Sequence, residues 1–296
     1  MRARALITAA LTFALLAGTA PLAHANLTGR FRPVDQPTSD AVAALLAGAV
    51  STQADVFDGA PVAPGDHPYV GLVLLINPKT GDVTGQCTGS LIRPRYVLTA
   101  GHCTQGARGA AFVPTVVDVG DATPDDVFLA SAIATAPRYS ARTLRDDVGL
   151  LKLSRPVRVT PVKVASAADD TRYRGGTTAT VVGWGAVDRA LTMPTRLRTG
   201  TITLQSNARC AAGWGRTFRP RGMICGGSEV TDTCVGDSGG PLLVRNANGR
   251  WLLLGATSFG REACGPGLDS VYARVSSVRG WIERVTGLRP ARPRSR

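Results

Sequence analysis

The segment Gly236-Asp237-Ser238-Gly239-Gly240 is the part of the sequence with the clearest chemical meaning. It matches the pattern G-x-S-x-G, in which a tight turn exposes a serine hydroxyl for attack on a carbonyl carbon. Such a hydroxyl is a weak nucleophile until a neighbouring base accepts its proton. The segment therefore predicts nucleophilic catalysis by Ser238 and makes the histidines the next residues to consider.

The positions of the three histidines exclude one of the arrangements that use this serine pattern. An α/β-hydrolase needs the chain order Ser, Asp, His, but His24, His67 and His102 all precede Ser238. His24 lies in an N-terminal leader, and His67 lies in an ordinary Gly-Asp-His-Pro turn and is interpreted as structural. His102 follows a β-like run and stands beside a cysteine, so His102 is the candidate base.

Three segments resemble the signature blocks of the trypsin/chymotrypsin family of serine endopeptidases: residues 98–103, 147–153 and 232–241. They give His102, Asp147 and Ser238 the chain order His, Asp, Ser of that family. The resemblance covers residues 56 to 288. We therefore expect a serine endopeptidase that hydrolyses peptide bonds.

The resemblance implies an all-β fold of two six-stranded antiparallel β-barrels, with the active site between them and a C-terminal α-helix. The residues favour the same class, because short apolar runs alternate with many of the 34 glycines and 19 prolines. Residues 276–285 have helical spacing and precede Gly287, a suitable C-terminal stop. The β-like runs are residues 69–76, 96–99, 127–133, 149–153, 179–182 and 251–258.

The resemblance also implies the catalytic roles. His102 accepts the Ser238 proton during the attack and returns it to the departing amine. Asp147 orients His102. The adjacent Asp146 is the rival carboxylate, but neighbouring residues on a strand point to opposite faces, so only one of them can serve. The place of Asp147 in the motif favours it. The backbone amides of Gly236 and Ser238 resemble the oxyanion hole of the family. No cofactor is expected.

The residues expected to bind substrate come from the same resemblance. Asp232, six residues before Ser238, stands where trypsin-like members place the carboxylate at the base of the primary specificity pocket. A buried carboxylate favours an Arg or Lys side chain of the substrate. Ser258, Phe259 and Gly260 are expected to pair with the substrate backbone.

Two alternatives to an Arg- or Lys-specific protease stay open. Ser270 stands where trypsins usually carry a glycine, and its side chain would narrow the pocket or change the specificity. A catalytically silent binding protein can also use this scaffold, since a fold does not establish activity. Such homologues commonly lose a triad residue, whereas His102, Asp147, Ser238 and Gly236 are all present here.

Six cysteines are expected to form three disulfides, because thiols pair in oxidising compartments rather than bind zinc. Six cysteines allow about 15 connectivities, so the count alone does not fix the pairing. The resemblance implies the pairs Cys87 with Cys103, Cys210 with Cys225 and Cys234 with Cys264.

The N-terminal 25 residues have the composition of a secretory signal peptide: Arg2 and Arg4, an apolar run, and a small-x-small site ending at Ala25. A secreted, extracellular protein is therefore expected. Residues 26–55 are interpreted as a pro-segment, residues 56–288 as the protease domain and residues 289–296 as a flexible basic tail.

Activation is expected to follow the family pattern, in which a cut exposes an Ile or Val whose ammonium pairs with the aspartate before the serine. Val56 resembles that new terminus, and Asp237 would be its partner. Asp55 precedes Val56, so an enzyme specific for Arg or Lys would not make this cut on itself. The protein is thus expected to be a zymogen with a separate activating protease.

The formal net charge of +13 comes mainly from arginine, as the only lysines are Lys79, Lys152 and Lys163. Arginine and alanine enrichment is typical of a GC-rich bacterial genome, and no aromatic-basic interleaving indicates nucleic acid. No apolar stretch after the leader approaches the roughly 20 residues of a membrane span. A monomer is expected, with protein or peptide substrates and protein inhibitors as partners.

Four aspartates form a cluster that raises the question of calcium binding. They lack an EF-hand pattern and are interpreted as part of a solvated loop, so no metal is expected. These residues are Asp118, Asp121, Asp125 and Asp126.

Overall fold

Short β-strands dominate the computed structural model, which describes residues 29–35, 59–114, 116–186, 194–261 and 269–288. Valine, leucine and isoleucine are frequent in these strands, and their side chains pack well on a pleated surface. In chain order the strands are β1 (Arg32–Pro33), β2 (Ala60–Pro61), β3 (Val70–Ile76), β4 (Val83–Arg93), β5 (Tyr96–Thr99), β6 (Gly109–Pro114), β7 (Phe128–Thr135), β8 (Gly149–Leu153), β9 (Lys163–Val164), β10 (Thr178–Gly183), β11 (Arg198–Leu204), β12 (Met223–Gly227), β13 (Pro241–Arg245), β14 (Trp251–Phe259) and β15 (Ser270–Arg274).

The described α-helices are α1 (Gly101–Thr104), α2 (Asn207–Trp214) and α3 (Val275–Thr286). Helix α3 buries Val278, Trp281 and Ile282 against the body and ends at Gly287, which has a left-handed φ of 65°. The helix expected over residues 276–285 is thus confirmed and extends one residue further at each end. In the part of the chain that the structure describes, no helix has the length and apolarity needed to cross a membrane.

Within the described residues, four short 3-10 helices lie between the longer elements. They are Val119–Asp121, Pro124–Asp126, Ala167–Tyr173 and Gly215–Thr217.

The first barrel consists of six antiparallel strands in the order β7-β6-β3-β4-β5-β8, and pairing of β7 with β8 closes it. Strand β1 lies outside this closed set and pairs antiparallel with β7. The second barrel has the order β10-β13-β14-β15-β12-β11 and is closed by β10 and β11. Strand β2 adds to β11, and β9 runs parallel to β14. The expected pair of six-stranded antiparallel barrels is confirmed.

The two barrels share one large hydrophobic core that includes the fully buried Phe112 of the first barrel and Tyr272 of the second. Backbone contacts also join the barrels, since the Thr88 amide of β4 donates to the Ser238 carbonyl at 2.8 Å. This contact places the serine turn of the second barrel directly against the first.

Several expected segments lie outside the described residues, namely the leader (1–25), the start of the protease domain (56–58) and the basic tail (289–296). Of the expected pro-segment, residues 29–35 are described, and they include β1.

Candidate active site

The three expected triad residues come from loops at the ends of strands. His102 lies in α1, directly after β5, while Asp147 lies just before β8 and Ser238 lies in the turn before β13. Strands β5 and β8 are paired neighbours, with Thr99 opposite Gly149, so the residues that follow and precede them lie close together.

Asp147 and His102 are joined by two hydrogen bonds. The His102 Nδ1 lies 2.9 Å from Asp147 Oδ2, and the His102 backbone amide donates to Asp147 Oδ1 at 2.8 Å. The Asp147 side chain is fully buried, whereas the His102 side chain is 31% exposed. Because a carboxylate accepts, Nδ1 carries the hydrogen, and Nε2 is the nitrogen that can take up a proton.

Ser258 is a third partner of Asp147 that sequence reasoning missed. Its Oγ donates to Asp147 Oδ2 at 2.5 Å, and its side chain is buried. The sequence predicts only a substrate-binding role for Ser258. It stands 111 residues from Asp147 in the chain, so no local spacing indicates the contact.

The rival residues have other partners. Asp146 accepts from Arg138 Nε at 3.1 Å, and its left-handed φ of 50° turns the chain. Asp146 and Asp147 both precede β8, so strand alternation is not what separates them. His67 Nδ1 lies 2.9 Å from the Tyr69 hydroxyl, its ring packs 5.0 Å from that of Trp251, and burial lowers the pKa of His67.

The serine turn is held by the first barrel. Thr88 donates its amide to the Ser238 carbonyl at 2.8 Å and its Oγ1 to the Gly236 carbonyl at 3.1 Å. Gly236 has a φ of 98°, a backbone conformation that favours glycine. Within the described residues, the amides of Gly236 and Ser238 have no acceptor, so both remain available as donors.

Among the described residues no hydrogen bond joins the Ser238 hydroxyl to the His102 ring, although their two chain segments are in contact. Cys103, next to His102, has its Sγ 3.9 Å from the Ser238 carbonyl oxygen. In proteins without substrate, catalytic hydrogen bonds are often long and tighten only in the substrate complex.

Asp237 is a second buried carboxylate, with a different set of partners. It accepts from the Gly185 amide at 2.8 Å and from the Cys234 amide at 2.9 Å. Burial raises the pKa of Asp237 to about 6, although the two amides lower it, and the charge of Asp232 raises it further. No cationic side chain among the described residues forms an ion pair with Asp237. Val56, its expected partner, lies outside those residues.

The expected specificity residues lie together. Asp232 is 4% exposed and accepts from the Thr233 amide at 2.8 Å and from Ser270 Oγ at 2.6 Å, both at Oδ1. A Cβ on Gly260 would lie 3.0 Å from Ser270 Oγ, so Gly260 and Ser270 face each other. Phe259 packs edge-on against Trp214 at 5.1 Å.

Two expected disulfides are confirmed, Cys87 with Cys103 and Cys210 with Cys225. Cys234 is also disulfide-bonded, and its expected partner, Cys264, lies outside the described residues. The first bridge ties α1 to β4 beside His102. Among the described residues, one group has donor atoms close enough together to hold a metal ion, namely Cys87, His102 and Cys103. The two cysteine sulfurs form a disulfide, so neither offers a thiolate.

Two carboxylates of the aspartate cluster accept hydrogen bonds from nearby residues. Asp118 accepts from the Gly120 amide and pairs with Arg196, and Asp126 accepts from both the amide and the hydroxyl of Thr123.

Two closed barrels with a His-Asp pair and a serine turn at their junction define a class, the serine endopeptidases of chymotrypsin-like fold. The family model described as Trypsin matches residues 56–282, and the chain belongs to that family of hydrolases.

Among its relatives is a protein named Trypsin from Saccharopolyspora erythraea, which is 34% identical over 217 residues, covering 72% of this chain and 89% of the relative. A solved structure titled HL collagenase is similar with a TM-score of 0.68 and 27% identity, covering 79% of this chain and all of that one.

Proposed function

We propose that this chain is a secreted endopeptidase that cuts after Arg or Lys through an acyl-enzyme formed on Ser238. The observation that carries the catalytic part is the buried Asp147 carboxylate bound to His102 Nδ1 at 2.9 Å. This bond leaves Nε2 as the basic nitrogen of a partly exposed ring, which suits a general base.

The proposed reaction has two proton-balanced stages. Ser238 Oγ attacks the scissile carbonyl carbon while His102 Nε2 takes its proton, and the imidazolium then gives that proton to the departing amine as the C–N bond breaks. Water next attacks the carbonyl carbon of the Ser238 ester while His102 Nε2 takes its proton, and the imidazolium returns that proton to Ser238 Oγ as the C–Oγ bond breaks and the acid product leaves. Asp147 stays ionised and stabilises the imidazolium throughout.

The negative charge that develops on the substrate oxygen requires donors placed in advance. The amides of Gly236 and Ser238 are the proposed donors, and their lack of an acceptor within the described residues supports this. The left-handed Gly236 turns the backbone between them. A side chain at position 236 would strain that turn and misdirect the donors.

The preference for Arg or Lys is supported by the burial of Asp232. Its carboxylate is 4% exposed, and its Oδ1 accepts from the Thr233 amide and the Ser270 hydroxyl. A substrate cation entering beside Asp232 would form a charge-assisted hydrogen bond away from bulk water.

A second candidate, a narrower primary specificity, is favoured by Ser270. Its hydroxyl bonds Asp232 Oδ1 and stands 3.0 Å from where a Cβ on Gly260 would lie. The planar guanidinium of Arg uses two carboxylate oxygens at once, whereas the Lys ammonium acts as a point charge. Ser270 therefore disfavours Arg relative to Lys.

The test is kcat/KM for peptides that differ only at the residue before the cut. We expect Arg and Lys to exceed Phe, Leu and Ala by about 100-fold, because a buried charge pair is worth about 2 to 5 kcal/mol. Asp232→Ser should remove this preference. An apolar best substrate in the wild-type enzyme would overturn the assignment of Asp232.

The contribution of Ser270 is measured in the same assay. Ser270→Gly should raise the Arg-to-Lys ratio of kcat/KM several-fold, since it opens space beside Asp232. Ser270→Ala, which removes the hydroxyl but keeps the Cβ, is the matched control and should give a smaller change. An Arg-to-Lys ratio of kcat/KM that is unchanged in both variants would show that Ser270 does not narrow the specificity pocket.

Secretion and activation complete the proposal. The N-terminal leader pattern and the disulfides support export to an oxidising compartment. Asp237 is buried and its pKa is raised, so it would gain an ion pair with the ammonium group that a cut before Val56 would release. N-terminal sequencing of the active secreted enzyme should return Val56. A different terminus next to an active Ser238 would contradict this part.

A further inference from the structure

Residues 29–35, which precede the expected cut, form an ordered part of the first barrel. Strand β1 pairs with β7, with Arg32 opposite Ile133 and Pro33 opposite Ala132. The Val34 amide adds a hydrogen bond to the Ser131 carbonyl at 3.2 Å. The segment thus extends the barrel by one short strand, although it belongs to the expected pro-segment.

Side chains clamp both ends of this strand. Arg32 donates to the carbonyls of Thr104, at 3.3 Å, and Ala107. Thr104 is the last residue of α1, the helix that carries His102. At the other end, Trp281 Nε1 of α3 donates to the Gly29 carbonyl at 2.6 Å in a buried contact.

The apolar residues of the segment also have defined partners. Phe31 and Val34 pack against the large core, and the Phe31 ring lies 5.7 Å from that of Tyr96. Gly29 has a φ of 59°, and a Cβ there would lie 2.7 Å from Pro137 Cδ and 2.8 Å from Trp281 Nε1. Position 29 therefore admits only glycine without displacement of the segment.

We propose that residues 29–35 stay bound after the cut before Val56, so that the active enzyme is a two-chain complex with the segment as a non-covalent seventh strand. This inference rests on the proposed activation cut. The contacts are made with β5, β7, α1, α3 and the loop residues Ala107 and Pro137, none of which includes Asp237 or Ser238, so the cut leaves the docking surface unchanged. The surface fits a second chain by strand addition, with backbone hydrogen bonds and side-chain anchors.

The experiment uses the full chain in a Ser238→Ala background, with the recognition sequence of a site-specific protease placed directly before Val56. After cutting, gel filtration at about 1 μM and intact mass measurement should find the N-terminal fragment with the enzyme, and urea should separate them. A fragment that elutes alone under native conditions would overturn the proposal. Because an added protease makes the cut and the readout is association of the fragment, the result does not depend on the catalytic assignments.

Two variants locate the binding. Arg32→Ala removes the clamp on Thr104 and Ala107, and Gly29→Ala introduces a clash with Pro137; each should increase fragment dissociation at least tenfold. The matched control is Arg155→Ala, since Arg155 also binds two backbone carbonyls of the first barrel, those of Asp125 and Val127. Arg155→Ala should retain the fragment. Equal retention in all three variants would show that residues 29–35 do not hold it.

Discussion

Two of the buried carboxylates of the candidate site, those of Asp147 and Asp237, lie on different barrels and are held differently. Asp147 of the first barrel accepts from the His102 amide, His102 Nδ1 and Ser258 Oγ. Asp237 of the second barrel accepts only from two backbone amides among the described residues, and burial raises its pKa to about 6. In the uncut chain, three hydrogen bonds hold the Asp147 carboxylate, whereas the two amides on Asp237 do not offset the cost of burying its charge.

The difference suggests where activity is controlled. The base half of the site, His102 with Asp147, is assembled before any cut, and the Cys87–Cys103 disulfide holds the helix that carries His102. The nucleophile half lies next to Asp237, whose buried charge a neighbouring cation would stabilise. We therefore expect the cut before Val56 to alter the serine turn and leave the His-Asp pair as it is.

The largest expected effect comes from removing the reacting groups. Ser238→Ala and His102→Ala should each lower kcat by about ten-thousand-fold or more in the cut enzyme, since the nucleophile and its base act as a unit. His67→Ala is the control, because His67 bonds Tyr69 instead. Peptide hydrolysis measures all three, and loss of activity only in His67→Ala would show that the wrong base has been assigned.

The pKa of Asp237 predicts that the uncut chain loses about 3 kcal/mol of stability as the pH rises from below 3.8 to above 6, of which about 1 kcal/mol falls between pH 5 and pH 7. The folded pKa, about 6, exceeds the unfolded value of 3.8, so the folded state binds more protons between these values. This contribution therefore favours folding at low pH and is lost as the pH rises through 6.

The measurement is the urea unfolding free energy at pH 5 and pH 7, before and after the cut. His67 has the opposite effect, since burial lowers its pKa and acid destabilises the fold, but it is common to both forms. The uncut chain should gain stability at pH 5 relative to the cut form. An equal pH dependence in the two forms would mean that no ammonium pairs with Asp237.

A smaller effect is expected at Ser258. Ser258→Ala removes one donor to Asp147 Oδ2 but leaves both bonds from His102, so kcat should fall about tenfold, as expected for a hydrogen bond to a charged group. The control is Ser90→Ala, another buried serine, whose Oγ has no hydrogen-bond partner among the described residues. If the two variants have the same kcat, Ser258 does not support the pair.

The sequence predicted the fold well wherever local pattern and motif agreed. The runs at residues 96–99 and 149–153 have the same bounds as β5 and β8, and α3 follows the expected helical spacing. Helix α2 was missed, because its eight residues mix polar, small and aromatic types without a clear apolar face. Its main local signal is Ser206, whose side chain caps the helix.

The site was predictable only where its residues stand in motifs. The three family-like sequence blocks predict His102, Asp147 and Ser238. The hydrogen bond from Ser258 to Asp147 instead depends on two distant segments that meet between the barrels, which no local pattern indicates. Strand β1 was missed for a similar reason. It has two residues, too few for periodicity, and its partner in β7 lies about a hundred residues further along the chain.

Covalent labelling of Ser238 by a fluorophosphonate tests the central claim most directly, since the reagent needs an activated serine. The uncut chain and the chain cut before Val56 are labelled under the same conditions, and the modified peptide is identified by mass. We expect labelling at Ser238 at least about 100-fold faster after the cut, and none in His102→Ala. Equal labelling rates in the two forms, or a label on another residue, would contradict the account.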